Sequence, residues 1–595
     1  MDSSGSKNGL SYLHPERISI NSHPGKDMSN TPLSVDVVDI AFLSFEKRLI
    51  AVSLQGLVNR QGPKIFLDYG VYDDIESRTT NEVFIPEDIW QEKYRDTLGN
   101  QDQNNLVYYR SVHDLKETHF TNIEDLLEKY ASVCTGLVVW DPNRIDTVNL
   151  AVIICSIENL LMVSPEDLEW VSDLTGLKVK NDLRQLEGDR IFLYRWAFKN
   201  LFSKCTGGKI ACIELGWKRP EFLDYVIQNR IFVYSLATLN SSLLFMIGQK
   251  LLMLLVGGPF RLRNLIFNLR LDFVLKRLGL FLMNLGSSET KLASRIQKAV
   301  QRKPFPTIFG WHTKRDDEFS FMLHLSANGL RLVPSHLASN FSFHSKLKAP
   351  SEFTQKHCQP SQIKLEKDKT YLTFTLSDGD QLVLMNTAQL GNWFREERGK
   401  VPFNWEMQPL LVDIAPALLG RYFNTLTESD YLIAGPSGAG YIVPPLLSNL
   451  KDYLKESVQV CSRAGIKTMT SYIGDPSDRI IRSHGRVGDF FLGFLGGYLH
   501  FGRTPQALAG DVAFISNSWP PLDNIADSAE ATLEGVRQIL DSPGRSPRFI
   551  GVHLFAYRTT ITDVYNFVKT LDPDKVKVVK ADEFLIAAHT HLSGK

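Results

Sequence analysis

The fold class is decided by the stretch TYLTFTLSDGD, residues 370–380. Its first seven residues interleave threonine with aromatic and leucine side chains, a pattern that is typical of a β-strand. A polar turn, Ser377-Asp378-Gly379-Asp380, follows directly. Because functional groups in a parallel sheet gather at the carboxyl ends of its strands, the stretch predicts a parallel α/β domain with a site at this turn.

Strands and helices alternate on the carboxyl side of this stretch. Apolar runs predict strands at 430–434, 467–472, 511–516, 549–556 and 576–579. Amphipathic patterns predict helices at 450–464, 525–540, 562–571 and 582–589. Six or seven β/α units in about 225 residues predict a TIM-like β/α barrel over residues 368–595.

The amino-terminal part shows the same alternation, which predicts α/β layered subdomains with mostly parallel sheets. Strands are expected at 64–68, 136–140, 209–213 and 308–311. We expect a disordered tail over 1–34, α/β subdomains over 35–150 and 151–235, and a helical insert with a third subdomain over 236–345. The polar, proline-containing stretch 346–367 is predicted to be a linker.

Composition limits the classes of function. The 595 residues carry 66 Lys and Arg against 66 Asp and Glu, and this neutral balance argues against a general nucleic-acid binder. Six scattered cysteines without a CxxC pair predict free thiols and neither disulfides nor a zinc site. The first 35 residues contain no apolar run typical of a secretory signal, so we expect a cytoplasmic protein.

One segment, residues 236–285, is unusually apolar. Its longest run, Leu251–Phe260, has ten residues, whereas a membrane span needs about 20. Lys250 and several arginines interrupt the pattern. We therefore predict a buried helical layer, with peripheral membrane contact through 236–285 as the alternative and a true span as the weakest interpretation.

The carboxylates after the first strand are the leading catalytic candidates. Asp378 and Asp380, two residues apart, would project to the same side of an extended strand. Such a pair can divide the roles of acid and base, because like charges held together raise one pKa. It could instead hold a divalent cation, although no cofactor is required. Asp475, after the predicted strand 467–472, is a third candidate.

A glycine-rich loop follows the strand 430–434. Gly438 and Gly440 would let the backbone approach a ligand, and Tyr441 offers an aromatic face and a hydroxyl group. Trp311 and Trp405 could stack on sugar rings, although a place in the buried aromatic core is the safer interpretation for either of them.

Two further features favour structural interpretations. His553 lies within a predicted strand, which is typical of a hydrogen-bonded core histidine. The acidic run 316–318 is expected to be a solvated loop or the start of a helix.

Together these segments resemble the GxGYxYP family, whose members are named as glycoside hydrolases. The resemblance rests on 438–444 (GAGYIVP), on SDGDQ, on Arg398–Pro402 and on Asn404-Trp405. Amino-terminal segments, including LQGLVNRQGPKIFL and Gly310-Trp311 with Asp317-Glu318, extend it over most of 35–595. Two positions depart from the family pattern. Val443 replaces the second tyrosine of the motif, and Gln381 stands after the SDGD turn where asparagine is expected.

The resemblance implies the family's architecture and a carbohydrate-active hydrolase. Since glycoside hydrolysis needs two carboxyl groups, we expect Asp378 and Asp380 to act as the pair, with Asp475 replacing either if their separation is too short. A metal-dependent sugar or phosphoryl transferase that uses the D-x-D carboxylates is an alternative. The altered motif keeps open a third class, a non-catalytic carbohydrate-binding or scaffold protein.

Overall fold

The computed structural model describes residues 32–71, 93–349, 352–501, 503–518 and 528–594. The predicted tail therefore lies outside the described residues up to residue 31, and the first strand begins at Leu33. The described residues form a mixed α/β chain with four sheets, all parallel except for one edge strand.

Three small parallel sheets form the amino-terminal half. The first has the order β2-β1-β3, the second β5-β4-β6 and the third β10-β9-β7-β8. Their strands are β1 (Leu33–Asp39), β2 (Ile65–Asp68), β3 (Leu115–Phe120), β4 (Gly136–Val139), β5 (Leu160–Val163), β6 (Val179–Asp182), β7 (Lys209–Cys212), β8 (Phe232–Tyr234), β9 (Thr307–Gly310) and β10 (Arg331–Pro334).

These sheets divide the chain differently from the predicted boundaries. The boundary at 150 falls inside the helix Asp146–Glu158, and β4 on its amino-terminal side pairs with β5 on the other. The boundary at 235 separates β8 from β9, although both pair with β7 in one sheet. The reason is that the helical insert interrupts this third sheet in the sequence while its strands stay together in space.

The helices of this half pack on the three sheets and on one another. They are Phe45–Val58, Arg95–Leu98, Gln101–Val112, Ile123–Tyr130, Asp146–Glu158, Leu168–Thr175, Arg190–Asn200, Leu223–Gln228, Glu318–Ala327 and Phe341–His344, together with the helical insert, which we define as Leu243–Gly257, Phe260–Asn268, Asp272–Gly286 and Ser288–Ala299.

The carboxyl-terminal half is built on one nine-stranded sheet with the order β16-β17-β15-β14-β13-β12-β11-β18, in which β19 also pairs with β11. Every pair is parallel except β16 with β17. Its strands are β11 (Thr370–Ser377), β12 (Phe403–Met407), β13 (Asp430–Ala434), β14 (Met469–Ser471), β15 (Gly493–Gly496), β16 (Gln506–Ala509), β17 (Val512–Ser516), β18 (Arg548–Phe555) and β19 (Val576–Val578).

This sheet is curled, so that its distant strands approach each other. The backbone N–H of Ser518, just after β17, donates to the carbonyl of Gly551 in β18 at 3.1 Å. No strand pairing joins the two ends of the sheet among the described residues, because β16 and β18 are the end strands of the order. The short strand β19 pairs with the start of β11. A curled parallel sheet is thus observed, while closure into a TIM-like barrel stays a prediction.

Helices lie between these strands, and the predictions at 450–464, 525–540, 562–571 and 582–589 correspond to four of them, while the others were not predicted. The helices are Gln381–Asn386, Leu411–Ile414, Pro416–Asn424, Leu450–Arg463, Asp478–Gly485, Ala529–Asp541, Ile561–Val568 and Ala581–Leu592. The described part of the predicted linker is irregular apart from a short 3-10 turn, Pro360–Gln362.

The helical insert docks on the carboxyl-terminal half. Arg263 pairs with Asp475 at 2.8 Å, and the Lys276 ammonium donates to the carbonyl of Leu446 at 3.1 Å. No single helix among the described residues is long and apolar enough to cross a bilayer. Two consecutive helices, Leu243–Gly257 and Phe260–Asn268, are together long and apolar enough for a span, but they meet at an angle of 97°.

Candidate active site

The carboxyl ends of several strands of the large sheet meet the start of the helix Glu318–Ala327 from the third amino-terminal sheet. Carboxyl, phenol and imidazole groups gather there from both halves of the chain. This cluster, called the carboxylate–tyrosine cluster below, consists of Glu318, Asp378, Asp380, Glu406, Tyr441, Tyr472, Tyr498 and His553.

Asp378 lies at the centre of the cluster's negative charge. Burial raises its pKa well above the usual range, and the neighbouring carboxylates of Asp380 and Glu318 raise it further. Backbone N–H groups of Gly379 and Asp380 act against this effect without cancelling it. Its Oδ2 atom is buried and has no hydrogen-bond partner among the described residues. Asp378 is therefore a carboxyl group poised to hold a proton.

Asp380 adjoins Asp378 because of a turn. The strand ends at Ser377, and Asp380 is the N-cap of the helix Gln381–Asn386. Asp378 and Asp380 therefore do not lie on an extended strand, and the predicted strand geometry, in which residues two apart project to the same side, does not apply to them. Asp380 is buried, with 2% of its surface exposed, and the Tyr557 hydroxyl donates to its Oδ2 at 3.3 Å.

Glu318 reaches this site from the amino-terminal half. Its Oε1 accepts a short hydrogen bond from the Tyr441 hydroxyl and another from Tyr472 at 3.2 Å. Burial raises the pKa of Glu318, although the two phenols partly offset that effect. Asp317 caps the helix by accepting from the Ser320 N–H at 2.8 Å. The predicted helix start is correct, but Glu318 is not a solvated residue.

Glu406 is the fourth carboxylate, and sequence analysis missed it. It lies on β12, between the strands that carry the two predicted motifs. Its Oε1 accepts from Tyr498 at 3.3 Å and from Gln381 at 3.4 Å, while Thr470 donates to Oε2 at 2.5 Å. His553 Nε2 lies 3.7 Å from Oε2. Hydrogen-bond donors thus surround this carboxylate on both oxygens.

Aromatic rings form a continuous row along the cluster. Trp311 stacks on Tyr441 with 6.4 Å between ring centroids and 5° between planes, and Tyr441 meets Tyr472 edge-on at 4.5 Å. Tyr472 contacts Tyr498 at 4.9 Å, and Tyr498 contacts His553 at 4.8 Å. His553, predicted to be a core histidine, therefore borders the site. Trp311 is 4% exposed and also stacks on His336, so the row brings phenol hydroxyl groups to the cluster but no exposed ring face of Trp311.

The glycine-rich loop places Tyr441. Gly438 and Gly440 have φ values of 89° and 124°, in the region that favours glycine. Tyr441 then forms an isolated antiparallel bridge with Leu332 of β10, with N···O distances of 2.8 and 2.9 Å. A Cβ on Gly379 would lie 3.0 Å from the Tyr441 ring. The SDGD turn and the loop therefore share one site, although β12 separates their strands.

Two predicted site residues lie elsewhere. Trp405 is fully buried, packs edge-on against Trp393, and donates from Nε1 to Asp430 at 2.8 Å. Its ring is part of the core, so the expectation that it stacks on a sugar is corrected. Asp475 is also buried, and its carboxylate pairs with Arg263. Burial nevertheless raises the pKa of Asp475.

Comparison with protein families identifies the chain. Three family models match it: "GxGYxYP_N second domain" over residues 134–205, "GxGYxYP third domain" over 269–346, and "GxGYxYP putative glycoside hydrolase C-terminal domain" over 368–588. The chain belongs to the GxGYxYP family. The last model contains Asp378, Asp380, Glu406 and Tyr441, whereas Glu318 lies in the third-domain match.

The GxGYxYP architecture also occurs in a solved structure. The crystal structure of a "putative hydrolase" from Bacteroides thetaiotaomicron VPI-5482 is 18% identical and has a TM-score of 0.68. The alignment covers 94% of this chain and 95% of that one, so the likeness shows a shared fold. No curated protein sequence matches the chain.

Both departures from the GxGYxYP pattern are visible in the structure. Val443 is buried, and its backbone N–H donates to Ser326 Oγ at 2.9 Å, so this position faces the amino-terminal half. Gln381 bonds to Glu406 and accepts from Gln408 at 2.5 Å, which links the SDGD turn to β12. Across the described ranges, no group of three or more His, Cys, Asp or Glu side chains is arranged to hold a metal ion.

Proposed function

We propose that this GxGYxYP protein is a glycoside hydrolase in which Asp378 and Asp380 act as the catalytic carboxyl pair. The observation that carries the proposal is the raised pKa of Asp378 beside two other carboxylates, at the carboxyl end of a parallel strand. A glycosidase needs one carboxyl group that stays protonated and another that is ionised. Mutual repulsion between Asp378 and Asp380 favours that division of roles.

In the proposed reaction, Asp378 donates its proton to the glycosidic oxygen as the bond to the anomeric carbon breaks. The carboxylate of Asp380 stabilises the positive charge on the sugar ring or activates the water. Water supplies the hydroxyl group that bonds to the anomeric carbon, and its proton restores the protonated carboxyl pair. Tyr441 would orient the sugar through its hydroxyl group.

The buried Glu406 is the alternative partner of Asp378. It borders the same cluster, and its donors hold it in a fixed orientation. Comparing Asp380→Asn with Glu406→Gln distinguishes the two assignments, since only the true partner should lower turnover as strongly as the loss of Asp378.

The proposal is tested with the full chain on a panel of aryl glycosides and oligosaccharides. Asp378→Asn should lower kcat by about 10²–10⁴-fold, because asparagine cannot donate the proton. Asp413→Asn, in an exposed pair with Arg463, is the matched control and should keep wild-type turnover. Near-wild-type cleavage by Asp378→Asn would refute the assignment.

Two other outcomes would point to the alternative classes. Turnover that is lost in chelator and restored by Mg²⁺ or Mn²⁺ would favour a metal-dependent transferase. Glycan binding without turnover by the wild-type protein would favour a binding protein.

A further inference from the structure

The exposed apolar side chains of this protein are concentrated in one place. Of the nineteen large apolar residues that are exposed in the described part of the chain, thirteen lie between Leu243 and Leu285. Each of them is at least 40% exposed, up to 67% for Leu243. The prediction of a buried helical layer is therefore only half correct, because the layer has a buried side and an apolar outer side.

Helical spacing gathers these residues on the outer sides of three helices. On Asp272–Gly286 the residues Phe273, Arg277, Phe281 and Leu285 recur every four positions. On Leu243–Gly257 the exposed residues are Leu243, Leu244, Met246, Ile247 and Lys250, and on Phe260–Asn268 they include Arg261, Leu262 and Leu265. We call these outer sides, together with Leu269, Arg270, Leu271, Val274 and Leu278, the apolar surface of the insert.

The opposite sides of the helices hold the insert together. Gly248 and Gly279 lie so close that a Cβ on Gly248 would be 2.4 Å from the Gly279 carbonyl oxygen. Arg263 and Lys276 point inward, to Asp475 and to the Leu446 carbonyl. The arrangement therefore resembles helices that lie in the plane of a membrane surface more than a span.

The exposed charges within the apolar surface are all positive. Lys250, Arg261, Arg270 and Arg277 are exposed within it. The single acidic residue between Leu243 and Gly286 is Asp272, which is less exposed and pairs with Arg479 at 3.1 Å. Apolar residues framed by basic ones suit a bilayer with anionic headgroups. In a two-fold dimer, by contrast, this surface would bring like charges face to face.

We propose that the apolar surface of the insert binds the surface of a membrane that contains anionic phospholipids. The insert lies in the plane of the headgroups, with its apolar side chains immersed and its basic residues among the phosphates. The Arg263–Asp475 pair ties the bound insert to the half of the chain that carries the large sheet. The residues from 206 to 268, outside all three family matches, include two of the three helices involved.

Co-sedimentation of the full-length protein with vesicles of phosphatidylcholine, with or without phosphatidylserine, tests the proposal. The protein should bind vesicles that contain phosphatidylserine, and less in high salt. Leu265→Gln with Phe281→Gln should lower the partition coefficient by about tenfold or more. Lys250→Gln with Arg261→Gln and Arg277→Gln should lower it by about a hundredfold, since each basic residue contributes about fivefold at an anionic surface.

Phe192→Gln with Leu508→Gln is the matched control, since both residues are similarly exposed but lie outside the insert. This double variant should bind like the wild type, and thermal unfolding should show that all variants are folded. Wild-type protein that binds neither vesicle type would overturn the proposal. Vesicle binding that is unaffected by the insert variants would also overturn it, as would a dimer that those variants dissociate. Resistance of bound protein to carbonate extraction would show a span instead.

Discussion

The carboxyl group of Asp378 is more costly to ionise in the folded protein than in the unfolded chain. Burial is the largest cause, and the charges of Asp380 and Glu318 add to it. A carboxyl group whose pKa is raised on folding binds a proton more tightly in the folded state. The free energy of unfolding therefore falls as the pH rises from the ordinary pKa near 3.8 toward the folded-state pKa.

We predict that Asp378→Asn stabilises the protein at neutral pH although it lowers turnover strongly. Asparagine removes the free-energy cost of keeping this buried carboxyl group protonated above its ordinary pKa, so the part of the pH dependence that comes from Asp378 should also disappear. Urea unfolding at neutral and at mildly acidic pH measures both effects, with Asp413→Asn as the surface control. A variant that is less stable than the wild type at neutral pH would show that Asp378 contributes interactions stronger than its cost of burial.

At this scale, sequence analysis located part of the site. Asp378, Asp380 and Tyr441 follow strands with clear patterns, so their convergence could be predicted from parallel-sheet geometry. Glu406 could not, because the apolar–polar alternation of FNWEM is typical of a strand with one solvent-facing side, which would expose Glu406, whereas all five residues are buried. Glu318 comes from a distant part of the chain, and only the three-dimensional structure shows that it bonds to Tyr441.

Among the elements, the glycine-rich loop is the one whose conformation most requires glycine at particular positions. Arg331, buried beneath it, donates to the Ala439 carbonyl at 3.0 Å and pairs with Glu456 at 2.9 Å. A Cβ on Gly440 would lie 2.8 Å from the Arg331 side chain, which has little room to move. The loop is therefore a rigid connector that fixes Tyr441 against Glu318.

We predict that Gly440→Ala destabilises the protein by about 2–4 kcal/mol and lowers activity, since backbone strain of about 1–3 kcal/mol adds to the steric clash. Gly176→Ala is the matched control, because Gly176 also has a positive φ, 69°, but open space around its Cβ position. Chemical denaturation of the two variants measures the difference. Equal losses in both would mean that the contact with Arg331 is unimportant.

The contact between the insert and the large sheet provides a second test at the scale of elements. Arg263 and Asp475 are 1% and 2% exposed, and removing Arg263 leaves the buried carboxylate with the more distant and more exposed Arg503, at 3.7 Å. We predict that Arg263→Met costs about 3–5 kcal/mol, while Arg263→Met with Asp475→Asn costs clearly less. The exposed pair Arg463–Asp413 is the comparison, and Arg463→Met should cost at most about 1 kcal/mol. A double variant no more stable than Arg263→Met would contradict a charge-pair role.

Prediction of whole elements succeeded where hydrophobic periodicity is strong. Phe45, Leu49, Val52 and Gly56 recur at helical spacing, which predicts a helix, and the helix covers Phe45–Val58. The grouping of strands was harder, because β7 and β8 join β9 across the insert. Sequence order favours neighbouring strands as partners, and that assumption fails wherever an insertion separates two parts of one sheet.

For the molecule as a whole, the site belongs to neither half alone. The amino-terminal half supplies Glu318 and Trp311, while the carboxyl-terminal half supplies Asp378, Glu406 and Tyr441. The bridge between Leu332 and Tyr441 holds the two halves in register at the site. Chemistry at Asp378 should therefore respond to a charge that is carried by the other half.

The pH dependence of activity should show this coupling. The negative charge of Glu318 raises the pKa of Asp378, and Asp378 must be protonated to act as the acid. We predict that Glu318→Gln moves the alkaline limb of kcat/KM to lower pH, because Asp378 then loses its proton more readily. Glu534→Gln, on the exposed helix Ala529–Asp541, should leave the limb in place. An unchanged limb in Glu318→Gln, with the protein folded, would show that Asp378 is not the acid or that Glu318 does not act on it.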